Sequence, residues 1–360
     1  MDYQKFWEKL SPAYPISQGK VRLPIAKNLC NLPDGRIVEL MENLNEILNT
    51  LLQQYGTKNG AISRAIEAGE KRITPLITDH YTGVVRFDCV IDANTNQFKI
   101  LEINCDYPDG LILHDKTYSV LSSENLNLHR DLLSKLIDKT KPISILYSKK
   151  ATFLDGYYAE KTAFENMFEK VEIGHEIDFK EPKTIRRCLE VSKLSEQTIH
   201  HLSTIKHEYI NTFSLRTLGY KNLLSKINHP YIPKTIPLTR ENLLEFLTDK
   251  DRWIIKPIEG CEGDGVYFGK DNNEETWKEL LNRVVDMYYI AQEFINISKQ
   301  RVELYENETI NERELYFDIC PYFFINKNEI IGSGHILMRF SEKPIVNVTK
   351  GGGIGYHRLY

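Results

Sequence analysis

The alternation of apolar and polar residues predicts an amphipathic helix near the start of the chain. Within residues 36–55 the apolar side chains recur every three or four positions, the spacing that places them on one face of an α-helix. They are Ile37, Leu40, Met41, Leu44, Ile47, Leu48 and Leu51. Gly56 follows as the expected stop residue. We therefore expect a helical segment in residues 1–76.

Two apolar runs with a polar turn between them predict a β-hairpin. Residues 84–91 and 98–104 are rich in Val, Ile and Phe, whereas residues 92–96 are polar and typical of a turn. Strands joined in this way place their central residues side by side. The hairpin therefore brings its central polar residues into proximity.

Strand and helix patterns alternate in the middle of the chain. A polar helix is predicted at residues 126–139 and another helix at 160–170. The predicted strands are 143–147, 171–177 and 187–191. This alternation is typical of a small α/β unit with parallel strands.

The last part of the chain predicts a second mixed region. Three prolines, Pro230, Pro233 and Pro237, indicate a linker after a helix at 221–227. Residues 296–313 are polar and have the composition of a loop, which could be mobile. The other predicted elements are helices at 240–247 and 274–285 and strands at 253–255, 266–268, 288–294, 315–325, 330–340 and 346–348.

The composition argues against several classes of protein function. The 360 residues carry a formal net charge of −4 with both signs interspersed, so they form no broad basic surface for nucleic acid. No stretch approaches the roughly 18 apolar residues needed to cross a bilayer. The charged N-terminus lacks the apolar run of a secretory signal, so we expect a cytoplasmic protein without membrane partners. The six cysteines form no C-x-x-C pair, which argues against a zinc site and against a disulfide framework.

A lysine followed by a glycine-rich turn is the first candidate binding feature. Lys256 ends a predicted strand, and Gly260, Gly263 and Gly265 lie in the turn that follows. A turn with little side-chain bulk lets backbone N–H groups approach phosphate oxygens, and the lysine adds a positive charge. The turn is neither a Walker A loop nor a dinucleotide fingerprint, because no Gly-Lys-Ser/Thr follows and the next element is a strand. The alternative is a hairpin that needs flexible glycines.

Three oxygen-bearing side chains on the predicted hairpin form a candidate magnesium site. Glu102 and Asn104 are two positions apart and so face the same side of one strand, and Asp88 lies on the other strand. Mg²⁺ prefers such oxygen ligands. Without metal, neighbouring carboxylates should repel each other and raise the pKa of at least one. The alternative is a solvent-facing polar stripe on an amphipathic hairpin.

The order of several segments resembles that of a known ligase family. Segments similar to the central and late parts of ATP-grasp ligases are Lys256 with its glycine turn, 291–295, 318–322, Arg339, Asn347 and 351–353. Arg86-Phe87-Asp88 and Glu102-Ile103-Asn104 resemble the end of that family's sequence, but here they come before the glycine turn. This order is similar to that of circularly permuted ATP-grasp ligases such as glutathionylspermidine synthetase and eukaryotic glutathione synthetase. The resemblance covers residues 81–110 and 220–353.

The resemblance implies an α/β (α+β) protein with an ATP-grasp fold in permuted order. The helical segment, residues 1–76, would be followed by the metal-binding strands in residues 77–126. A small α/β domain like the one that precedes the ATP-grasp domain would occupy residues 127–220. The nucleotide-binding part would occupy residues 221–360.

The resemblance also implies a role for each matching residue. The nucleotide-binding residues would be Lys221, Lys256, Gly260, Gly263, Gly265, Gln292, Glu293 and Phe294, the last three around adenine. The ligands of one or two Mg²⁺ ions would be Asp88, Glu102 and Asn104. The residues facing the reacting carboxylate would be Arg86 and Arg339, and Asn347 would contact phosphate or substrate.

These roles imply an ATP- and Mg²⁺-dependent carboxylate–amine ligase that forms ADP. A carboxylate would attack the γ-phosphate to give an acyl phosphate, and an amine would then displace phosphate to form an amide. The partners would be a small carboxylate and an amine, such as an amino acid, a peptide or a polyamine. A kinase of the same fold that phosphorylates a hydroxyl is one alternative. A nucleotide-binding protein that has lost catalysis is another, although the retained metal set speaks against it.

Two further residues bear on the substrate. Many relatives carry an arginine two residues after the aspartate that corresponds to Asp318, whereas this chain has Cys320. A substrate or phosphate contact is therefore missing or has moved. His114 lies beside Asp115, shortly after the predicted metal strands, and is a weaker candidate for substrate contact.

Overall fold

Helices and strands alternate along most of the chain, so the protein is of mixed α/β class. The computed structural model describes residues 2–13, 24–30, 32, 34–108, 110–138, 142–147, 154–168, 171–174, 181–188, 191, 194–260, 263–306, 308–346 and 352–357. Among these residues, none of the helices has the length and apolarity that a bilayer crossing requires.

Within the described residues, the helices lie between residues 3 and 284. The α-helices are α1 (Tyr3–Leu10), α2 (Asp34–Tyr55), α3 (Lys58–Glu67), α4 (Leu111–Ser122), α5 (Leu128–Lys135), α6 (Leu154–Met167), α7 (Glu196–Thr204), α8 (Phe213–Arg216), α9 (Leu243–Thr248) and α10 (Glu274–Val284). The short 3-10 helices are Ser11–Ala13, Lys71–Leu76, Thr217–Gly219, Lys221–Lys226, Arg240–Asn242, Lys250–Arg252 and Gly269–Asp271. Helix α2 confirms the predicted amphipathic helix, and its apolar side chains lie in the main core.

The strands form three sheets within the described residues. They are β1 (Ile25–Ala26), β2 (Gly83–Ile91), β3 (Phe98–Asn104), β4 (Ile143–Tyr147), β5 (Val171–Gly174), β6 (Thr184–Cys188), β7 (Glu208–Ile210), β8 (Thr235–Pro237), β9 (Trp253–Pro257), β10 (Tyr267–Phe268), β11 (Tyr289–Glu293), β12 (Lys299–Glu306), β13 (Thr309–Cys320), β14 (Tyr322–Asn326), β15 (Glu329–Ser333), β16 (Leu337–Ser341) and β17 (Gly353–Tyr356).

The largest sheet has nine strands and contains the predicted hairpin. Its order is β12-β1-β17-β16-β13-β2-β14-β15, and β3 also pairs with β2. The hairpin β2–β3 therefore lies beside strands β13 and β14, which come from the last part of the chain. This pairing is what brings distant parts of the sequence together at one sheet face.

The two faces of the large sheet pack against different helices. Alternate residues of a strand point to opposite faces. Phe87 packs in a core with Leu44 of α2. Val84 and Tyr322 pack in a second core with Leu111 of α4, and α1 and α5 add to that core. Arg86 and Asp88 share the face of Val84, so they lie at the edge of the second core.

Two smaller sheets complete the fold. Strands β5-β4-β6-β7 are all parallel, which confirms the predicted small α/β unit. Strands β10-β9-β11-β8 are antiparallel and pack against α9 and α10 through Trp253, Trp277 and Leu281. The third sheet carries Lys256 and the glycine turn.

The predicted polar loop at residues 296–313 is wrong. Strands β12 and β13 form a long antiparallel hairpin there. Val302 and Leu304 are buried, whereas the intervening Glu303 is partly exposed, which is the alternation of a half-buried strand. The many charged residues on the outer face concealed this pattern in the composition.

Other elements also differ from the predictions, and the predicted strands 315–325 and 330–340 are each divided into two strands, β13 and β14, and β15 and β16. The segment predicted as a proline linker contains strand β8. Pro237 can belong to this strand because β8 is at the edge of its sheet, where a missing N–H is tolerated. Helix α4 was not predicted, since its polar Asp115 and Thr117 are buried and interrupt the apolar period. The strand predicted at 187–191 is β6, which ends at Cys188. Residues 347–348 of the last predicted strand lie outside the described residues.

Candidate functional site

The hairpin β2–β3 presents four polar residues on one face. Arg86 lies opposite Asn104 and Asp88 lies opposite Glu102 in the ladder. Residues two apart on a strand, and directly opposed residues of neighbouring strands, share a face. The predicted proximity of Asp88, Glu102 and Asn104 is therefore confirmed by the strand register, while their function as ligands is a separate question.

Lys221 connects this hairpin to the glycine turn. Its Nζ atom lies 3.4 Å from Glu102 Oε1 and donates a hydrogen bond of 3.1 Å to the Gly260 carbonyl oxygen. The lysine is buried, whereas 33% of the Glu102 side chain is exposed. Residues from three separate segments thus meet at one place, as the predicted order of motifs requires.

Lys256 lies nearby as a buried cation. It stands on β9, and its Nζ donates a hydrogen bond of 2.7 Å to Gln292 Oε1 on the adjacent β11. The Gln292 amide in turn donates to Thr235 Oγ1 at 3.1 Å. Burial lowers the pKa of Lys256 to about 8, Glu102 opposes this shift, and Lys221 adds to it. We call Lys221, Lys256 and Glu102 the lysine site.

The glycine turn approaches two side chains too closely for larger residues. Gly265 has φ = +72°, and a Cβ there would lie 2.8 Å from the Tyr289 hydroxyl oxygen. Gly263 has φ = +74°, and a Cβ there would lie 3.0 Å from Ile345 Cγ2. The turn therefore needs glycine for both conformation and space. It also contacts the segment that leads toward Asn347, which itself lies outside the described residues.

Two arginines and two aspartates form a second buried cluster, which we call the sheet cluster. Arg86 donates to both carboxylate oxygens of Asp88, at 2.6 and 2.9 Å. Arg339 donates to Asp88 Oδ2 at 2.8 Å and from Nε to both oxygens of Asp318 at 3.0 Å. Arg86 and Arg339, predicted to face the same substrate group, are thus held together by a shared carboxylate.

We expected repulsion between the hairpin carboxylates to raise the pKa of at least one of them, and for Asp88 this expectation is wrong. Burial would raise the pKa of Asp88, but Arg339 and Arg86 outweigh burial and hold it well below its usual range. Both of its oxygens already accept hydrogen bonds from guanidinium groups. Asp88 therefore orients two arginines in this structure, whereas Glu102 and Asn104, the other two predicted ligands on the hairpin, are partly exposed.

Cys320 occupies the edge of the sheet cluster. Its thiol is buried and donates a weak hydrogen bond of 3.4 Å to Asp318 Oδ1. Burial raises its pKa well above the usual value. An arginine at this position would add a third guanidinium to a cluster in which two guanidiniums already meet two carboxylates.

The three residues predicted around adenine have different surroundings. Gln292 is buried and holds Lys256 rather than facing an open surface. Glu293 forms an ion pair of 3.2 Å with Arg252. Phe294 lies under Lys270, whose Nζ is 3.9 Å from the ring centroid, and its backbone N–H donates to the Arg252 carbonyl at 2.7 Å. That N–H is therefore not available to a base edge in this conformation.

Sequence reasoning missed a third charged cluster beside the glycine turn. Arg216 donates to both oxygens of Glu70, at 2.7 and 2.8 Å, and also contacts Asp106 and Glu259. Arg187 contacts the same Asp106. Burial raises the pKa of Glu259 to about 7, with Arg216 opposing it and Glu70 reinforcing it. We call these five residues the arginine network. Glu259, an acidic residue next to the glycine turn, was the sequence signal that could have revealed this network.

The whole fold is similar to that of a solved glutathione synthetase-like protein. The match is to a glutathione synthetase-like effector from Globodera pallida in its apo form, with a TM-score of 0.60 and 12% sequence identity. It covers 100% of this chain and 98% of the other. Comparisons with protein-family models and with curated proteins find no match. At this identity the likeness concerns the fold alone, and we conclude that the chain has a mixed α/β fold like that of a glutathione synthetase-like protein.

Proposed function

We propose that this protein is an ATP- and Mg²⁺-dependent carboxylate–amine ligase, with an ATP-grasp site built from strands in permuted order. The observation that carries the proposal is the contact between Lys221 and Glu102, at 3.4 Å. It joins the hairpin to the lysines and the glycine turn, although these segments are far apart in sequence. A triphosphate with a metal ion needs cations and oxygen ligands on facing surfaces, and this junction offers both.

The residues of the lysine site fit an anionic ligand. Among the described residues, the hydrogen-bond partner of the Lys256 ammonium is an amide and not a carboxylate. A buried cation that makes no direct ion pair costs folding free energy, and a bound phosphate would supply a negative charge in direct contact. Lys256 and Lys221 would therefore orient the phosphates, and the glycine turn would cover them.

Glu102 and Asn104 fit the role of oxygen ligands for Mg²⁺. They share one face of β3, they are partly exposed, and Glu102 lies beside Lys221. A divalent ion held there would supply charge neutralisation between phosphate oxygens. Asp88 would act indirectly, by fixing Arg86 and Arg339 beside the ligands.

Arg86 and Arg339 would bind the reacting carboxylate and its phosphorylated form. Their guanidiniums share Asp88 and so stand next to each other at the face that carries Glu102. Positioning and charge neutralisation are the main requirements of phosphoryl transfer, and this arrangement needs no covalent nucleophile. Exclusion of water would protect the acyl phosphate until the amine arrives.

The test is a screen for ADP and phosphate release with pairs of small carboxylates and amines. Product analysis by mass spectrometry should show an amide, with one ADP and one phosphate per bond formed. A phosphorylated alcohol formed without free phosphate would instead identify a kinase.

The variant Glu102→Gln tests the proposed Mg²⁺ site. It should lower kcat/KM for Mg·ATP by about 100-fold, the scale for removal of one electrostatic group from such a site. The effect on thermal stability should be small, because the side chain is partly exposed. Glu329→Gln, on the exposed edge strand β15, is the control and should leave both quantities unchanged. Equal activity of the two variants contradicts the proposed metal site.

A nucleotide-binding protein without catalysis is the second candidate. The observation in its favour is that both oxygens of Asp88 are occupied by arginines, which leaves a smaller ligand set than predicted. Isothermal titration with ATP and Mg²⁺ distinguishes it. Tight Mg·ATP binding with no turnover for any acceptor pair would support this candidate over the ligase.

A further inference from the structure

A line of aromatic and histidine side chains leads from helix α4 to the sheet cluster. Tyr322 lies directly opposite Arg86 in the ladder between β14 and β2. Burial raises the pKa of the Tyr322 hydroxyl, and the neighbouring Arg86 guanidinium opposes this shift. The same hydroxyl lies 3.3 Å from Nε2 of His114, and Nδ1 of His114 lies 2.8 Å from the Tyr356 hydroxyl.

The chemistry of these groups sets the direction of each hydrogen bond. A guanidinium has no acceptor, so the oxygen of Tyr322 turns its lone pairs toward Arg86. Its O–H then points toward His114, whose Nε2 accepts. A neutral imidazole with Nε2 as acceptor carries its proton on Nδ1 and donates it to Tyr356.

The surroundings of His114 keep the imidazole neutral. Burial is the main cause that lowers the pKa of His114 to about 3; the neighbouring His129 and Arg86 contribute to the shift, and Asp115 opposes it. The uncharged form of the ring is therefore favoured at neutral pH. An uncharged ring can orient Tyr322 without adding a third cation beside Arg86 and Arg339.

The neighbouring Asp115, His129 and His335 form a rigid support rather than a metal site. Their ligand atoms lie within 4.8 Å of one another. However, His129 Nε2 accepts the backbone N–H of His335 at 3.0 Å, and Nδ1 lies 3.0 Å from the Leu111 carbonyl. Nδ1 therefore carries the proton and has no lone pair for a metal ion. Asp115 also accepts the backbone N–H groups of His129 and Arg130, which fixes the start of α5 beside α4.

We propose that His114 is a positioning residue that fixes Arg86 for the acyl substrate, through the hydroxyl group of Tyr322. The inference rests on the proposed function in one respect, namely that Arg86 faces the reacting carboxylate. The chain of contacts from Tyr356 to Arg86 is a separate statement about the protein and can be tested without a substrate.

The first experiment is NMR of the full-length protein labelled with ¹⁵N in histidine and arginine. The His114 signal, assigned by its loss in His114→Gln, should show the neutral Nδ1–H tautomer and no titration between pH 5 and 8. Tyr322→Phe should shift both the His114 Nε2 resonance and the Arg86 Nε resonance. Titration of His114 near pH 6.5 would overturn the proposal, and so would an Arg86 resonance that does not shift in Tyr322→Phe. Both outcomes hold whether or not the protein is a ligase.

The second experiment measures kinetics with the pair of substrates found in the screen. Tyr322→Phe and His114→Leu should each raise KM for the carboxylate about tenfold and leave KM for ATP within twofold. The double variant should be no worse than the worse single variant, because both act through one chain. His114→Gln, whose amide offers a donor and an acceptor, should recover most of the loss. Additive effects, or an equal loss in KM for ATP, overturn the positioning role.

Tyr209→Phe is the matched control. The Tyr209 hydroxyl is buried in the small parallel sheet and has no hydrogen-bond partner among the described residues, so its removal should change neither the Arg86 resonance nor the kinetics. If wild-type protein releases no ADP with any pair, the proposed function fails. The NMR experiment then still decides whether His114 positions Arg86.

Discussion

The lysine site and the arginine network lie beside the same glycine turn but differ in how their charges are matched. In the network, Arg216 is 3% exposed and contacts three carboxylates, while Arg187 contacts one of them. In the lysine site, two buried ammonium groups face one carboxylate that is 33% exposed. Buried cations in direct contact with carboxylates hold a fold together, whereas a buried excess of cations favours an anionic ligand. The comparison therefore separates a structural cluster from a proposed binding site within one region.

Loss of Lys256 should have the largest effect on function. We expect Lys256→Ala to lower kcat/KM for ATP by at least about 100-fold, because the phosphates lose a buried cation. The fold should persist, as measured by circular dichroism and thermal unfolding. Lys278→Ala, which removes an exposed lysine of α10, should keep wild-type kinetics. Normal ATP use by Lys256→Ala would exclude the lysine site as the nucleotide site.

Loss of Arg216 should have the largest effect on stability. We expect Arg216→Met to lower the free energy of unfolding by about 3–5 kcal/mol, since it leaves Glu70, Asp106 and Glu259 without their shared cation. Urea denaturation measures this change. The control is Arg240→Met, because Arg240 and Asp286 are 61% and 64% exposed, and exposed pairs contribute only about 0–1 kcal/mol. Similar losses in both variants would remove the distinction between the two clusters.

The pH dependence of nucleotide binding sharpens the comparison further. Because the pKa of Lys256 is lowered to about 8, the free protein loses this charge as pH rises through 8. Bound phosphates favour the charged form, so the dissociation constant for ATP should increase by up to about tenfold per pH unit above pH 8. Titration calorimetry from pH 7 to 9 measures it, with Lys256→Met as the control that should lack this step.

The lowered pKa of Lys256 predicts that the stability of the free protein rises with pH, whereas ATP binding weakens. Between pH 8 and the usual lysine pKa of 10.5, the unfolded chain binds more protons than the folded protein does. Stability relative to Lys256→Met should therefore rise with pH across this window, by at most about 3 kcal/mol. A flat difference would mean that Lys256 is better solvated than its burial indicates.

The smallest effect is expected at Cys320. Cys320→Ser should change kcat/KM by less than about threefold, because a serine hydroxyl can make the same hydrogen bond to Asp318. Steady-state kinetics of the variant measures this. A loss as large as that of Lys256→Ala, with normal unfolding behaviour, would assign the thiol a direct role in the reaction.

Local pattern alone was enough to predict several elements of the fold. The amphipathic spacing of α2, the alternating hairpin β2–β3 and the strand–helix alternation of the small parallel sheet were all confirmed. Periodicity fails where polar residues are buried in pairs. Helix α4, with its buried Asp115, was missed for this reason, and β6 was placed too late because Arg186 is buried against Glu160.

For the candidate site, too, the sequence predicted some features and only the tertiary structure showed the others. The sequence by itself determined which residues supply charges and side-chain oxygen atoms, and the order of its motifs predicted that the hairpin meets Lys221. Only the tertiary structure decided how the charges pair, because a carboxylate takes its partners from every segment that packs around it. Asp88 was expected to repel Glu102, yet it lies between Arg86 and Arg339, the latter contributed by strand β16. Pairing between distant strands depends on the assembled sheet, and no local pattern encodes it.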